Sequence, residues 1–207
     1  MSLLPTRSAR KKRRICRQIL ALPRRSVVLA QDETDLLLFP PLRAGWSLKG
    51  QAAKVYLSGH NARLVIFGAL NLMTGTRLLL PRLKGRSGDF QAFLEEIRRH
   101  YWGWHVALML DEDPCHTAKA SLRSAEGMSL LWLPYRSPEL NPIETLWGQG
   151  KDVISVNKQY ETIDEQVDRF VGHIMSLSAQ EVLHTSGILS DDFWLRRILS
   201  KKFCGLA

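Results

Sequence analysis

The chain has 207 residues, 45% of them hydrophobic and 24% charged, the balance of an ordinary globular domain. A chain of this size typically buries about 70% of its unfolded surface without disulfide staples, which excludes a mini-protein and a disordered tail. The longest nearly apolar run, Leu64 to Met73, is about half of the roughly 20 residues a membrane-spanning helix needs. Arg17 and Gln18 break the N-terminal segment before it resembles a signal peptide. Three widely spaced cysteines (Cys16, Cys115, Cys204) with no C-x-x-C pair fit a reduced, cytoplasmic protein.

The formal charge of +9 is concentrated at one end. Arg7, Arg10, Lys11, Lys12, Arg13, Arg14, Arg17, Arg24 and Arg25 lie within residues 1–25, which hold no acid, and the remaining 20 Lys and Arg balance the 20 Asp and Glu. The expected division is a basic leader over 1–25 and a neutral domain over 26–207. Such a leader is either an electrostatic footprint for a polyanion, most often nucleic acid, or a solvated tail.

After Arg25, Ser26 to Gln31 is short and β-branched and reads as a buried strand ending at Asp32. Leu36 to Phe39 is a second strand candidate, stopped by Pro40-Pro41. A polar, Gly-containing stretch follows, then Arg63 to Leu72 as a long strand, a turn at Met73-Thr74-Gly75, and Thr76 to Leu80 as a strand returning beside it. Ser87 or Asp89 caps a helix through Tyr101, with Phe90, Phe93, Leu94 and Ile97 at helical spacing. His105 to Leu110 is a compact buried strand, a helix runs from about His116 to Gly127, and Ser129 to Leu133 is another strand. Asn141-Pro142 is a helix start. Gly148 and Gly150 in that helix predict an early end or fraying. Thr162 with Glu165, and Ser178 with Glu181, each open a further helix. The order predicts a mixed α/β sheet with helices on its faces.

Three acids stand out by position. Asp32 and Asp111 each end a buried apolar strand, where ligands gather in open α/β sheets. Glu144 sits three residues after Asn141, in the first turn of a helix. Each also has a plain reading: a turn-forming Asp, or a capping-box Glu reaching back to the Asn141 backbone. Taken together, two or three carboxylates suit Mg²⁺, which takes oxygen ligands and keeps several waters. Two such ions support phosphodiester chemistry.

The residues around these acids are specific. Asp32-Glu33 is followed by Pro41, Trp46 and Gly50; Leu110-Asp111 is followed by His116. Leu133-Pro134-Tyr135-Arg136-Ser137-Pro138-Glu139-Leu140-Asn141-Pro142-Ile143-Glu144 then leads to Trp147 and Lys151. From about Val27 to Trp147 the chain resembles the catalytic domain of DDE transposases, in the bacterial insertion-sequence branch of the Tc/mariner superfamily. The 32 residues between Asp111 and Glu144 are close to the spacing usual in that branch. The resemblance implies a ribonuclease-H-like mixed sheet, three antiparallel strands followed by parallel ones, with helices on both faces.

It further implies Asp32, Asp111 and Glu144 as the catalytic, metal-binding triad, holding Mg²⁺, with Mn²⁺ as substitute, as two ions. The implied reaction hydrolyses DNA at transposon ends and joins the freed 3′-hydroxyl to target DNA, often at TA. The implied setting is an assembly of copies on nucleoid DNA. DNA contacts are expected from Arg10, Lys11, Lys12, Arg13, Arg14 and Lys151. His116 orients a carboxylate, touches phosphate, or simply begins a helix.

Trp147 reads as core, as do Trp102 and Trp104; Trp46 is either an anchor or a DNA-facing residue. Arg82, Lys84 and Arg86 form a basic loop that either tracks phosphates or is a solvated hairpin end. Cys115 lies beside the site without zinc-ligand spacing. Two departures matter. Glu112 and Asp113 stand after Asp111, where the family generally begins with Asn; they either turn into the site or lie in a solvated loop. Family members also normally carry N-terminal helix-turn-helix modules, so the leader reads as a remnant of a missing DNA-binding domain, from a frameshifted or truncated element. The competing reading is therefore an inactive remnant that binds nucleic acid; a ribonuclease H or resolvase is disfavoured by the segment ending in Glu144.

Overall fold

The computed structural model describes residues 7–44, 46, 48–51, 54, 55, 57 and 59–203. Cys204, read above as one of three thiols, and the first six residues of the leader lie outside the described residues. Five strands form one sheet in the order β3-β2-β1-β4-β5, with β1 Ser26–Leu37, β2 Arg63–Asn71, β3 Arg77–Arg82, β4 His105–Leu110 and β5 Ser129–Trp132. The pairs β1–β2 and β2–β3 are antiparallel, and β1–β4 and β4–β5 are parallel, as expected. Ser26–Gln31 and the first residues of the expected second strand are one strand, not two. The acids Asp32, Glu33 and Asp35 interrupt its hydrophobic run, but the ladder with β2 continues unbroken to Leu37 opposite Arg63.

Alternation along the strands sorts two cores. Val27, Leu29, Val65, Phe67, Val106 and Leu108 meet Phe90, Phe93, Leu94 and Ile97 of α2 (Ser87–His100). Val28, Ala30, Ile66, Leu70, Ala107 and Met109 face the other layer. That layer contains α5 (Pro142–Ile154), α6 (Ile163–Ser176) and α7 (Ala179–Thr185), together with two helices the sequence reading missed. These are α1 (Arg7–Ala21), within the basic leader, and α8 (Arg196–Phe203). Helix α1 buries Ile15 and Ile19, with Leu22 just beyond it, in that core. The basic stretch is thus part of the folded body rather than a free arm. Its helical signal is masked by a cationic face that outweighs three apolar residues at helical spacing.

The single helix expected from His116 is split into α3 (Pro114–Thr117) and α4 (Lys119–Ser124). Helix α5 neither ends early nor frays at its glycines. A Cβ on Gly150 would stand 2.7 Å from Phe170 and 2.9 Å from Ile174, so glycine lets α6 approach. Trp147 is core, as expected, but Trp102 is 86% exposed and Trp104 45% exposed, with the Arg25 guanidinium over the Trp104 ring. Trp46 is fully exposed, so among the described residues it is not a packed anchor. Among the described residues, no helix is long and apolar enough to cross a membrane.

Candidate active site

Strand parity decides where the acids of β1 go. Asp32 shares a face with Val28 and Ala30, toward α5, whereas Glu33 shares a face with Val27 and Leu29, toward α2. Opposite Asp32 on β2 is Gly68, where a Cβ would stand 2.4 Å from the Trp147 ring. The missing side chain lets α5 lie directly on the sheet. Asn141 fixes the start of that helix: its Nδ2 donates to Gln31 O at 2.9 Å, and its side chain caps nothing. Its backbone N–H donates to Pro138 O, so Glu144 is not a capping-box partner. The residue before Asp32 is therefore tied to the turn that carries Glu144.

Asp32, Asp111 and Glu144 line one small cavity of about 90 Å³, together with Leu133, Pro134, Arg136 and Asn141. The three acids expected from the sequence are thus brought together. Asp32 carries the strain of this arrangement. Burial first, then the charges of Glu144, Glu33 and Asp111, push its carboxyl up to about 9. Two buried oxygens, Asp32 Oδ2 and Asn141 Oδ1, have no hydrogen-bond partner among the described residues. Hard oxygen donors, mutual repulsion and an orphaned buried carboxylate oxygen fit a divalent cation such as Mg²⁺.

Asp111 is held from behind. His116, almost fully buried against the Phe90 ring, donates from Nδ1 to Asp111 Oδ1 at 3.0 Å and from Nε2 to Glu33 Oε1 at 2.8 Å. Burial opposes its charge, but hydrogen bonds with Asp111, Cys115 and Glu33 push the imidazole up to about 12. The bond to His116 in turn lowers the Asp111 carboxyl. Gln31 Nε2 donates to the same Glu33 Oε1 at 2.8 Å. Asp111 Oδ1 also accepts from the Asp113 backbone N–H at 3.1 Å, so its commitments fall on one oxygen. The sequence reading missed Glu33 as a functional residue. Its signal was strand alternation, which sets adjacent acids on opposite faces.

Glu33, Cys115 and His116 place ligand atoms within 4.8 Å of one another. Both His116 nitrogens are already taken by carboxylates, and burial pushes the Cys115 thiol up to about 11, so this cluster serves Asp111 instead. Glu112 and Asp113 do not turn into the site: Glu112 pairs with Lys11 Nζ at 2.7 Å, and Asp113 accepts from Cys115 N at 2.8 Å as the cap of α3.

The basic residues divide. Lys11 reaches the cavity rim, donating to Leu133 O at 3.2 Å as well as to Glu112. Lys12 lies over the Trp194 ring. Arg10, Arg13 and Arg14 are exposed on α1. Lys151, two turns beyond Glu144, is half-buried; burial lowers its pKa, while Asp35, Glu144 and Asp32 oppose that shift. Arg136, in left-handed backbone at φ 51°, brings a further cation to the cavity.

Residues 27–166 match the family model of the DDE superfamily endonucleases. This chain belongs to that family. The DDE endonuclease chain is 27% identical over 152 residues to a 39 kDa protein of insertion element IS630 from Shigella sonnei, covering 72% of this chain and 44% of that one. It is 30% identical over 107 residues to the Tc3 transposase of Caenorhabditis elegans, covering 48% and 32%. These relatives place it in the Tc1/mariner/IS630 group of DDE transposases. Two solved structures of Mos1 transposase, paired-end complexes with the left transposon end and with Mn, superpose with a TM-score of 0.64 at 15% identity. Each covers 98% of this chain and 64% of the Mos1 chain, so the ribonuclease-H-like transposase catalytic fold is shared. This chain spans less than half the length of the insertion-element and Tc3 proteins it matches.

Proposed function

We propose that this DDE domain cleaves DNA phosphodiesters at transposon ends and joins the resulting 3′-hydroxyl to target DNA. The observation that carries the reading is the convergence of Asp32, Asp111 and Glu144 from β1, the end of β4 and α5 on one cavity, with a buried carboxylate oxygen left unpartnered. The three acids would hold divalent metal, Mg²⁺ or Mn²⁺, in the two-ion arrangement. Once bound, such ions supply activation of the attacking oxygen and charge stabilisation of the leaving one. DNA and metal as partners are supported by the Mos1 complexes, whose chain shares this fold.

The protein's own residues do the positioning. Gln31 holds Glu33, Glu33 holds His116, and His116 fixes one oxygen of Asp111, leaving the other for the site. Arg136 and Lys151 flank the cavity as cations for phosphate, and the exposed arginines of α1 add sequence-independent affinity. Insertion at TA, action as an assembly of copies and work at the nucleoid follow from the same family reading.

The test is cleavage of supercoiled plasmid and of oligonucleotide duplexes with Mn²⁺ by the wild type and by Asp111→Asn. Loss of cleavage with retained DNA binding supports the reading. Duplex binding by both proteins with cleavage by neither would show a binding module instead. Preference for an RNA–DNA hybrid over duplex DNA would point to a ribonuclease H.

A further inference from the structure

Lys11 differs from the other cations of α1 in what it holds. Ile15 and Ile19 follow it one and two turns along the same helical face and are buried in the core, so packing sets where Lys11 stands. Its half-buried side chain carries the ammonium to two partners, Glu112 Oε1 at 2.7 Å and the Leu133 carbonyl oxygen at 3.2 Å. These partners belong to the ends of two neighbouring strands. Glu112 follows Asp111 just past β4, and Leu133 follows β5 and opens the segment that leads through Arg136 and Asn141 to Glu144.

Both ends need such a fastening. Leu133 is buried, its N–H donates to Leu110 O at 2.9 Å, and Pro134 after it has no N–H to carry the ladder further. Lys11 supplies the donor that this buried carbonyl oxygen requires. Glu112 is the acid that departs from the family pattern, and left loose it would add a second negative charge beside Asp111. The ammonium draws it away from the cavity and onto α1. One side chain of the leader helix thus ties together the two strand ends on which Asp111 and the approach to Glu144 depend, and Leu133 itself lines the carboxylate cavity.

We propose that Lys11 is a positioning residue of the carboxylate site, a strut that sets Asp111 against the segment leading to Glu144, and not a DNA contact. The proposal rests on the metal-dependent DNA-cleaving reading above. It adds α1 to the elements that assemble the site. A strut and a mere charge predict opposite signs. By its field alone, loss of a positive charge near a cation site tightens divalent metal; loss of a group that holds the ligands in place weakens it.

The test compares the full chain as wild type, Lys11→Met, which keeps the stem and removes the ammonium, and Lys11→Arg. Mn²⁺ affinity is read by calorimetry, duplex affinity by anisotropy of a labelled 20-mer with Ca²⁺, and cleavage with Mn²⁺ at saturating DNA. Lys11→Met should bind Mn²⁺ about fivefold more weakly and cleave more slowly by a similar factor, the upper range for a partly exposed ion pair. Its duplex affinity should match that of the wild type, and Lys11→Arg should recover most of the Mn²⁺ affinity. Unchanged or tighter Mn²⁺ binding in Lys11→Met overturns the strut, and weaker duplex binding alongside it would make Lys11 a DNA contact. Cleavage by the wild type leaves the DNA-cleaving reading standing in either case. A wild type that binds Mn²⁺ and cleaves no DNA overturns that reading alone, because the Mn²⁺ comparison still decides Lys11. A wild type that binds no Mn²⁺ overturns both. If Lys11→Met does not fold, Lys11→Gln, which keeps a donor for Leu133 O, takes its place with the same signs expected.

Discussion

Asp32 is the residue on which the site turns, because its carboxyl is held near 9 while its unfolded value is close to 3.8. With a raised folded pKa, the folded metal-free protein keeps a proton that the unfolded chain has lost. Stability from this group is therefore full below about pH 4 and declines as pH rises toward 9. Denaturant unfolding at pH 5, 7 and 9 should show that decline without metal, and Asp32→Asn should flatten it. Metal must displace the same proton, so apparent Mn²⁺ affinity should rise by up to about tenfold per pH unit between pH 6 and 8, as read by calorimetry. On the other side of β1, Glu33→Ala should weaken Mn²⁺ binding by about 10- to 100-fold by freeing His116 and then Asp111. Glu33→Gln, which keeps an oxygen for His116 Nε2, should recover most of it. An unchanged Mn²⁺ affinity in Glu33→Ala would remove Glu33 from the site.

At the scale of elements, the decisive packing is that of α5 on the sheet. Gly68 faces Asp32 across the ladder, and any Cβ there would collide with the Trp147 ring. Gly68→Ala should cost about 1–3 kcal/mol by overpacking, measured as a lower denaturant midpoint, and should lower Mn²⁺ affinity with it. Adding Trp147→Phe, which removes the colliding edge of the indole, should restore part of both. Sequence periodicity could not have found this approach. A glycine inside a strand signals that something comes close, but what comes close is a residue 79 positions away.

At the scale of the molecule, the basic leader and the catalytic cavity are joined. Helix α1 buries Ile15 and Ile19 in the core and carries Lys11 to the rim beside Leu133 and Glu112. Deleting residues 1–25 would therefore remove core as well as charge, and its effect on DNA binding could not be read as electrostatics. Replacing exposed Arg10, Arg13 and Arg14 by Gln keeps the helix and removes the charge. The triple variant should bind duplex DNA more weakly, with the slope of log affinity against log salt shallower by about 0.9 for each phosphate that is no longer neutralised. A slope equal to that of the wild type would mean that DNA runs elsewhere. Thermal unfolding should change little, since none of the three is buried.

Local order was legible from the chain alone. Strand alternation, Asn141-Pro142 and the Ser178–Glu181 box mark elements that the structure reproduces, because their causes lie within a few residues of each other. The three acids were legible for the same reason, each sitting at an element end beside a characteristic run. What required the tertiary structure was everything decided across space. The fastening of Gln31 to Asn141, the His116 bridge from Glu33 to Asp111, and the docking of a cationic helix by three apolar residues all pair positions far apart in sequence. Their geometry exists only once the sheet has brought β1, β4 and α5 together. Residue types set which chemistry is available to this chain, and packing alone sets which of those groups meet.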